Sequence, residues 1–181
     1  MSIVKRLANL KDLEFIYSCI LYGARKGRYS FNAENPEIVK SMKYEIQSVV
    51  GRQLLLDQRY ARAFVFIQNN KRIATLIMSA ASDNIRGSEI YALSVARKYQ
   101  NQGYGSRIVD DLLNEYQSSD IYARCSPSSE KMRTLLEKRG FRVHSMDDDY
   151  RILLRDAVDN IGPLYLSGIN HAEKSVEKEY V

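Results

Sequence analysis

Two glycines one residue apart, in the run Tyr99-Gln100-Asn101-Gln102-Gly103-Tyr104-Gly105-Ser106, separate segments whose apolar residues recur with different periods. Before them EIYALSV alternates, which sets Glu89, Tyr91, Leu93 and Val95 on one face of an extended strand. After them Ile108, Val109, Leu112, Leu113 and Tyr116 make the stripe of a helix with one buried side. Strand, short loop and helix in that order aim the free N–H groups of the first helical turn, and the positive end of the helix dipole, at one point. Such a mouth favours an anion. Glycine at 103 and 105 removes Cβ atoms that would keep a phosphate away, and Gln100, Gln102 and Ser106 are candidate side-chain donors. The glycines taken alone leave a plain turn open as the alternative.

The remaining chain reads as one domain, because 181 residues give room for one well-buried core and not for two ordinary domains. Ile3–Arg6 is a short strand, and Asn9 with Asp12 three residues on caps a helix bearing Leu13, Ile16, Tyr17 and Ile20. Asn35 caps a second helix, with Pro36 at its first position, Ile38, Met42, Ile46 and Val49 on one face, and Gly51 closing it. AFVFIQ and KRIATLIM form a hairpin through Asn69 and Asn70, which tolerate the left-handed backbone of a tight turn. Ile121–Cys125 is a further strand. Ser126 as cap and Pro127 then open a helix with Met132, Leu135 and Leu136 inward, stopped at Gly140. FRVHS and YRILLR flank the Asp147-Asp148-Asp149 turn as a closing hairpin, and a charged tail from Asp156 is broken by Gly162 and Pro163. No internal repeat or low-complexity tract occurs.

Several function classes fall away. Apolar runs such as AFVFI and ATLIM are far too short to span a bilayer, so no membrane partner is expected. MSIVKRLANLKDLEF turns polar after four residues and lacks a secretory core, which points to the cytoplasm. Cys19 and Cys125 make neither a disulfide framework nor a metal pattern, and His144 and His171 have no ligand spacing, so no metal is expected. A net charge of +5 is spread among acids along the chain, which makes nucleic acid a weak candidate partner.

Three phosphate motifs can be tested on the glycine loop. A dinucleotide fingerprint needs glycine at 108, where Ile108 stands, and a P-loop needs a Gly-Lys-Ser/Thr ending that is absent. Gln100-Asn101-Gln102-Gly103-Tyr104-Gly105 reads Q-x-x-G-x-G after a strand, which closely resembles the acyl-CoA pyrophosphate loop of the GNAT superfamily of N-acetyltransferases. The element order from Ile3 to Arg155 also resembles that family, as does LLEKRGF, Leu135–Phe141.

The resemblance implies an α/β (α+β) fold: a mixed, mostly antiparallel sheet of about six to seven strands with helices on both faces, over residues 1–155, and a C-terminal extension over 156–181. It implies that the strands flanking the loop and its helix splay apart, so that the main chain of Leu93 and Val95 holds the pantetheine arm of acetyl-CoA. The Leu93 N–H would polarise the acetyl carbonyl, and Gln100, Asn101, Gln102, Gly103, Tyr104, Gly105 and Ser106 would carry the pyrophosphate. Glu89 lies eleven residues before Gln100, the spacing of the catalytic glutamate in histone-type members, and is the candidate base for an amine that must lose a proton. The tyrosine that protonates the CoA thiolate in many members falls at Leu136; Tyr91, Tyr122 and Tyr150 are possible substitutes. Ser129, with Ser128 beside it, stands where many members contact pantetheine through asparagine. Cys125 is either a buried structural thiol or an acyl carrier.

The implied function is acetyl transfer from acetyl-CoA to a primary amine, by direct attack in a ternary complex. An acyl-CoA-binding module without transfer, or an acetyltransferase acting on aminoacyl-tRNA, is the alternative, and a homodimer is compatible with the resemblance. Acceptor contacts fall in LYGARKGRYSFNAENP and SMDDDYR, where Asp147–Asp149 would attract a polyamine or lysine and Arg25, Lys26 and Arg28 an anionic acceptor.

Overall fold

The computed structural model describes residues 2–81, 87–146 and 151–157. The Asp147–Asp149 turn, Tyr150, His171 and all but the first two residues of the 156–181 extension lie outside them. The chain runs β1 (Val4–Leu7), α1 (Leu13–Arg25), α2 (Pro36–Arg52), β2 (Ala61–Gln68), β3 (Lys71–Ala80), β4 (Ser88–Val95), α3 (Tyr104–Glu115), β5 (Ile121–Cys125), α4 (Glu130–Glu137), β6 (Arg142–Met146) and β7 (Arg151–Arg155). Among the described residues the strands form one sheet in the order β1-β2-β3-β4-β5-β7-β6. Every adjacent pair is antiparallel except β4 with β5, which is parallel.

Strand alternation divides the core in two. Phe64, Phe66 and Leu76 meet Ile108, Val109 and Leu112 of α3 and Leu136 of α4. Ala63, Val65 and Ile77, from the other face of the same strands, meet Ile16, Ile20, Ile46 and Val49 of α1 and α2. The hairpin turn takes the form expected, with Asn69 and Asn70 at φ 49° and 59°.

Two helix ends and the alternation of one strand differ from the sequence reading in ways that bear on the site. Gly51 lies inside α2; the helix ends at Gln53, whose φ of 61° lets its N–H reach the Val49 carbonyl at 2.9 Å. Ser126 does not cap α4, since Ser129 occupies the cap position and Pro127 belongs to the preceding turn. In β4, Ile77 pairs with Ala92 while the next residue, Met78, pairs with Ile90, so Tyr91 is an extra residue, a β-bulge. The bulge inverts the alternation. Ile90, Leu93 and Val95 pack with α3 and α4, whereas Tyr91 and Ala92 pack with α1 and α2. Glu89 is thereby separated from the face of Leu93, which it would share in a regular strand.

Asp12 ties the first strand to the first helix. Its carboxylate is fully buried, accepts the Asn9 N–H at 2.9 Å to complete a capping box, and binds Arg6 of β1 at 2.7 and 3.0 Å and Arg72 of β3 at 2.7 Å. The Arg6 hydrogen bond, foremost, outweighs burial and holds this carboxyl down at about 2. Because the folded value is depressed, its stabilising contribution is complete above the unfolded value of about 4 and is lost as pH falls towards the folded one. Asp12→Ala should lower unfolding free energy by about 2–4 kcal/mol in urea titration at pH 7, with the difference from the parent shrinking in acid.

Candidate active site

β4 and β5 pair only at Ser88–Ile90 with Ile121–Ala123. Beyond Ile90 the strands part, leaving backbone groups of Leu93 and Val95 along a cleft of about 1110 Å³. Glu89, Leu93, Val95, Gln100, Asn101, Gly103, Tyr104, Gly105, Ser106 and Ser129 line this cleft, and of the described candidates Gln102, Tyr122 and Arg25 do not. At the Val95 end the chain turns through Asn101 (φ 60°) and Gly103 (φ 81°) into α3. A side chain at Gly103 would be strained by the backbone angle, although nothing lies within 4 Å of where its Cβ would stand. A Cβ on Gly105 would meet Val95 Cγ2 at 3.8 Å and Leu135 Cδ1 at 4.0 Å, close to the floor of the cleft. The first N–H to find a partner at the helix start is that of Arg107, to the Gly103 carbonyl at 3.1 Å, so those of Tyr104, Gly105 and Ser106 have no partner within the helix. The glutamines act differently from expectation. Gln100 donates its side-chain amide to the Val95 carbonyl (2.8 Å) and Gln102 to Lys98 (3.0 Å), so both brace the loop.

The opposite end is ionic. Glu89 is 2% exposed, with one carboxylate oxygen 2.6 Å from Arg59 Nη1 and the other 3.0 Å from Arg124 Nε. Arg59 also binds Asp57 at 2.7 Å. The bulge residue Tyr91 donates its hydroxyl to Glu45 of α2 at 2.9 Å; burial, and then the Glu45 charge, raise its pKa and keep it protonated. Between the two ends, Tyr29 places its hydroxyl 3.2 Å from the Leu93 carbonyl and 2.7 Å from Ser94 Oγ, and burial pushes it up to about 12. Its ring fills a notch left by Gly23, where a Cβ would approach within 2.6 Å. Glu45 and Arg59 were not legible as site residues, and Tyr29 was legible only as part of the acceptor segment LYGARKGRYSFNAENP. Each comes from a segment distant in sequence and carries no motif.

The Acetyltransferase (GNAT) family model matches residues 29–141, more than half of the chain. The chain belongs to this family. It is therefore an acyltransferase of the GNAT type. Its fold is similar to that of a Corynebacterium glutamicum protein described as histone acetyltransferase HPA2 and related acetyltransferase (12% identity, 87% of this chain and 97% of that one, TM-score 0.64). It is similar also to spermidine N-acetyltransferase from Vibrio cholerae in complex with CoA and spermine (13%, 84% and 92%, 0.61). A third is PaiA N-acetyltransferase from Thermoplasma acidophilum in complex with coenzyme A (14%, 86% and 99%, 0.58). At such identities the likeness concerns the fold. No curated protein matches the chain in sequence.

The other candidates in this GNAT domain find structural surroundings. Leu136 is fully buried in the α3/α4 core. Tyr122 is buried with its ring edge-on to His144 at 6.0 Å. Ser129 donates to the Arg28 carbonyl at 2.7 Å and meets Ser126 Oγ at 2.9 Å, while Ser128 donates to the Gly27 carbonyl. These serines staple the α1–α2 loop to the start of α4. Burial pushes the Cys125 thiol up to about 11. Arg25 pairs with Glu34 at 3.3 Å, and Lys26 and Arg28 line the cleft beside the serines. Among the described residues no helix is long and apolar enough to cross a membrane.

Proposed function

We propose that this GNAT enzyme moves acetyl from acetyl-CoA to a primary amine by direct attack within a ternary complex. One observation carries the reading: a single cleft joins the N-terminal mouth of α3, the part of β4 that β5 does not pair, and a carboxylate cluster. The residues fit such a co-substrate. The free N–H groups of Tyr104, Gly105 and Ser106, opened by Gly103 and Gly105 and braced by Gln100 and Gln102, would receive the pyrophosphate, with Asn101 completing the turn. The main chain of Leu93 and Val95 would pair with the pantetheine amides, as a missing strand would. Ser129 holds the wall beside that path. The thioester supplies an activated acetyl group, and the Leu93 N–H would stabilise negative charge developing on its oxygen. Glu89 is the proposed proton acceptor, with Arg59 and Arg124 each holding one of its carboxylate oxygens. The CoA complexes of the Vibrio and Thermoplasma proteins support the donor, and the spermine in the former supports an amine acceptor.

A thiol held at about 11 stays protonated at neutral pH, which argues against an acetyl-cysteine route. Cys125→Ala should keep most activity, and intact-protein mass spectrometry during turnover should show no acetylated enzyme. A covalent acetyl group trapped on Cys125 would refute direct transfer. The functional reading itself is tested by thiol release from acetyl-CoA across a panel of amines. Release that depends on one class of amine supports it. Tight CoA binding with no release for any amine would leave a binding module.

A further inference from the structure

The ionic end of the cleft holds two carboxylates of different character. Glu89 has a guanidinium on each oxygen. Glu45 also lines the cleft, half-buried, and has only neutral donors: the Tyr91 hydroxyl at 2.9 Å and the Leu56 N–H at 3.5 Å. No cationic side chain among the described residues forms an ion pair with it. Within this cluster Asp57 and Glu89 are ion-paired, to Arg59 and to Arg59 and Arg124 respectively, whereas Glu45 is held by neutral donors alone. The β4 bulge keeps it in position, since the extra residue Tyr91 turns towards α2 and hydrogen-bonds it. On the same helix Ile38 and Met42, with Ser41, line the cleft in the turns before it. A partly desolvated carboxylate bordered by hydrocarbon matches an aliphatic chain ending in an ammonium group.

Resting on the acetyltransferase reading, we propose that Glu45 determines acceptor specificity, selecting an aliphatic diamine whose second ammonium group it binds. Lys26 and Arg28 line the same cleft, on a segment whose Gly27 and Arg28 carbonyls accept from Ser128 and Ser129, and neither forms an ion pair with Glu45 among the described residues. The reacting nitrogen is then the one distant from Glu45, and an acceptor with a neutral or anionic far end loses that contact.

The test is calorimetric titration of the CoA-saturated protein with three probes of matched length: 1,5-diaminopentane, 5-aminopentan-1-ol and 5-aminopentanoate. The unmodified protein should bind the diamine about 10-fold or more tightly than the amino alcohol, with the amino acid weakest, as a charged hydrogen bond implies. Glu45→Gln should remove that preference while leaving CoA affinity unchanged, which also shows the variant to be folded. Tyr91→Phe, which keeps the carboxylate, should reduce the preference without abolishing it. Absence of the preference in the unmodified protein, or its survival in Glu45→Gln, overturns the proposal. These are binding equilibria with CoA and need no turnover. Diamine selection without acetyl transfer would therefore refute the acetyltransferase reading alone, and transfer with equal use of all three probes would refute the role of Glu45 alone.

Discussion

Glu89→Gln should lower kcat by about 10²- to 10⁴-fold, the usual loss when a general base is removed, while the dissociation constant of acetyl-CoA barely moves. Glutamine preserves the shape but cannot take the amine proton, and its NH2 group can no longer accept from the second of the two guanidiniums. Raising the pH should restore part of the rate, because free amine then becomes abundant without help. The structure adds a complication with its own control. Neutralising Glu89 leaves the guanidiniums of Arg59 and Arg124 uncompensated, so stability should fall as well. Arg59→Gln disturbs the same cluster while keeping the carboxylate. If Glu89 served only as a counter-ion, the two variants would lose kcat alike and neither would recover at high pH. Wild-type kcat in Glu89→Gln at neutral pH would remove Glu89 from the chemistry.

Gly103→Glu should abolish acetyl-CoA binding. The backbone there has φ 81°, at the entrance to the α3 mouth, and the new carboxylate would compete with the pyrophosphate for the same N–H groups. Two like charges about 4 Å apart near a protein surface repel by about 4 kcal/mol, a loss on the order of 10³-fold in affinity. Gly103→Asn separates charge from strain, since asparagine tolerates the left-handed backbone, and it should bind within about 10-fold of the parent. Thermal shift and titration with CoA give both values. Unchanged affinity in Gly103→Glu would place the pyrophosphate elsewhere.

The parts of this fold that were legible in sequence are those fixed by local rules. Asn69-Asn70 fixes a tight hairpin, Asn35-Pro36 starts α2, and Gly103 stands where the chain needs a positive φ. The glycine loop is read by the same rule and forms the turn into α3 at one end of the cleft. What escaped was set by tertiary context. EIYALSV alternates without a break, and only its pairing with β3 shows that Tyr91 is an extra residue that turns Glu89 away from Leu93. Two candidate caps, Ser126 and Ser129, are equivalent by type, and the hydroxyl network with the α1–α2 loop separates them. Gln100 and Gln102 read as ligand donors because the carbonyls they brace are invisible in a sequence. The partners of Glu89 and Tyr91 approach from the α2–β2 connection, β5 and α2, where no motif marks them.

The central claim is that one cleft receives acetyl-CoA and passes the acetyl group directly to an amine. The most direct measurement is a single turnover with acetyl-CoA labelled in its acetyl carbon and an aliphatic diamine as acceptor, quenched at intervals and resolved by mass spectrometry. The label should pass from thioester to N-acetyl amine in step with thiol release, with none on the protein at any time. Label retained in the thioester, released as free acetate, or found on the enzyme before the amine would contradict it.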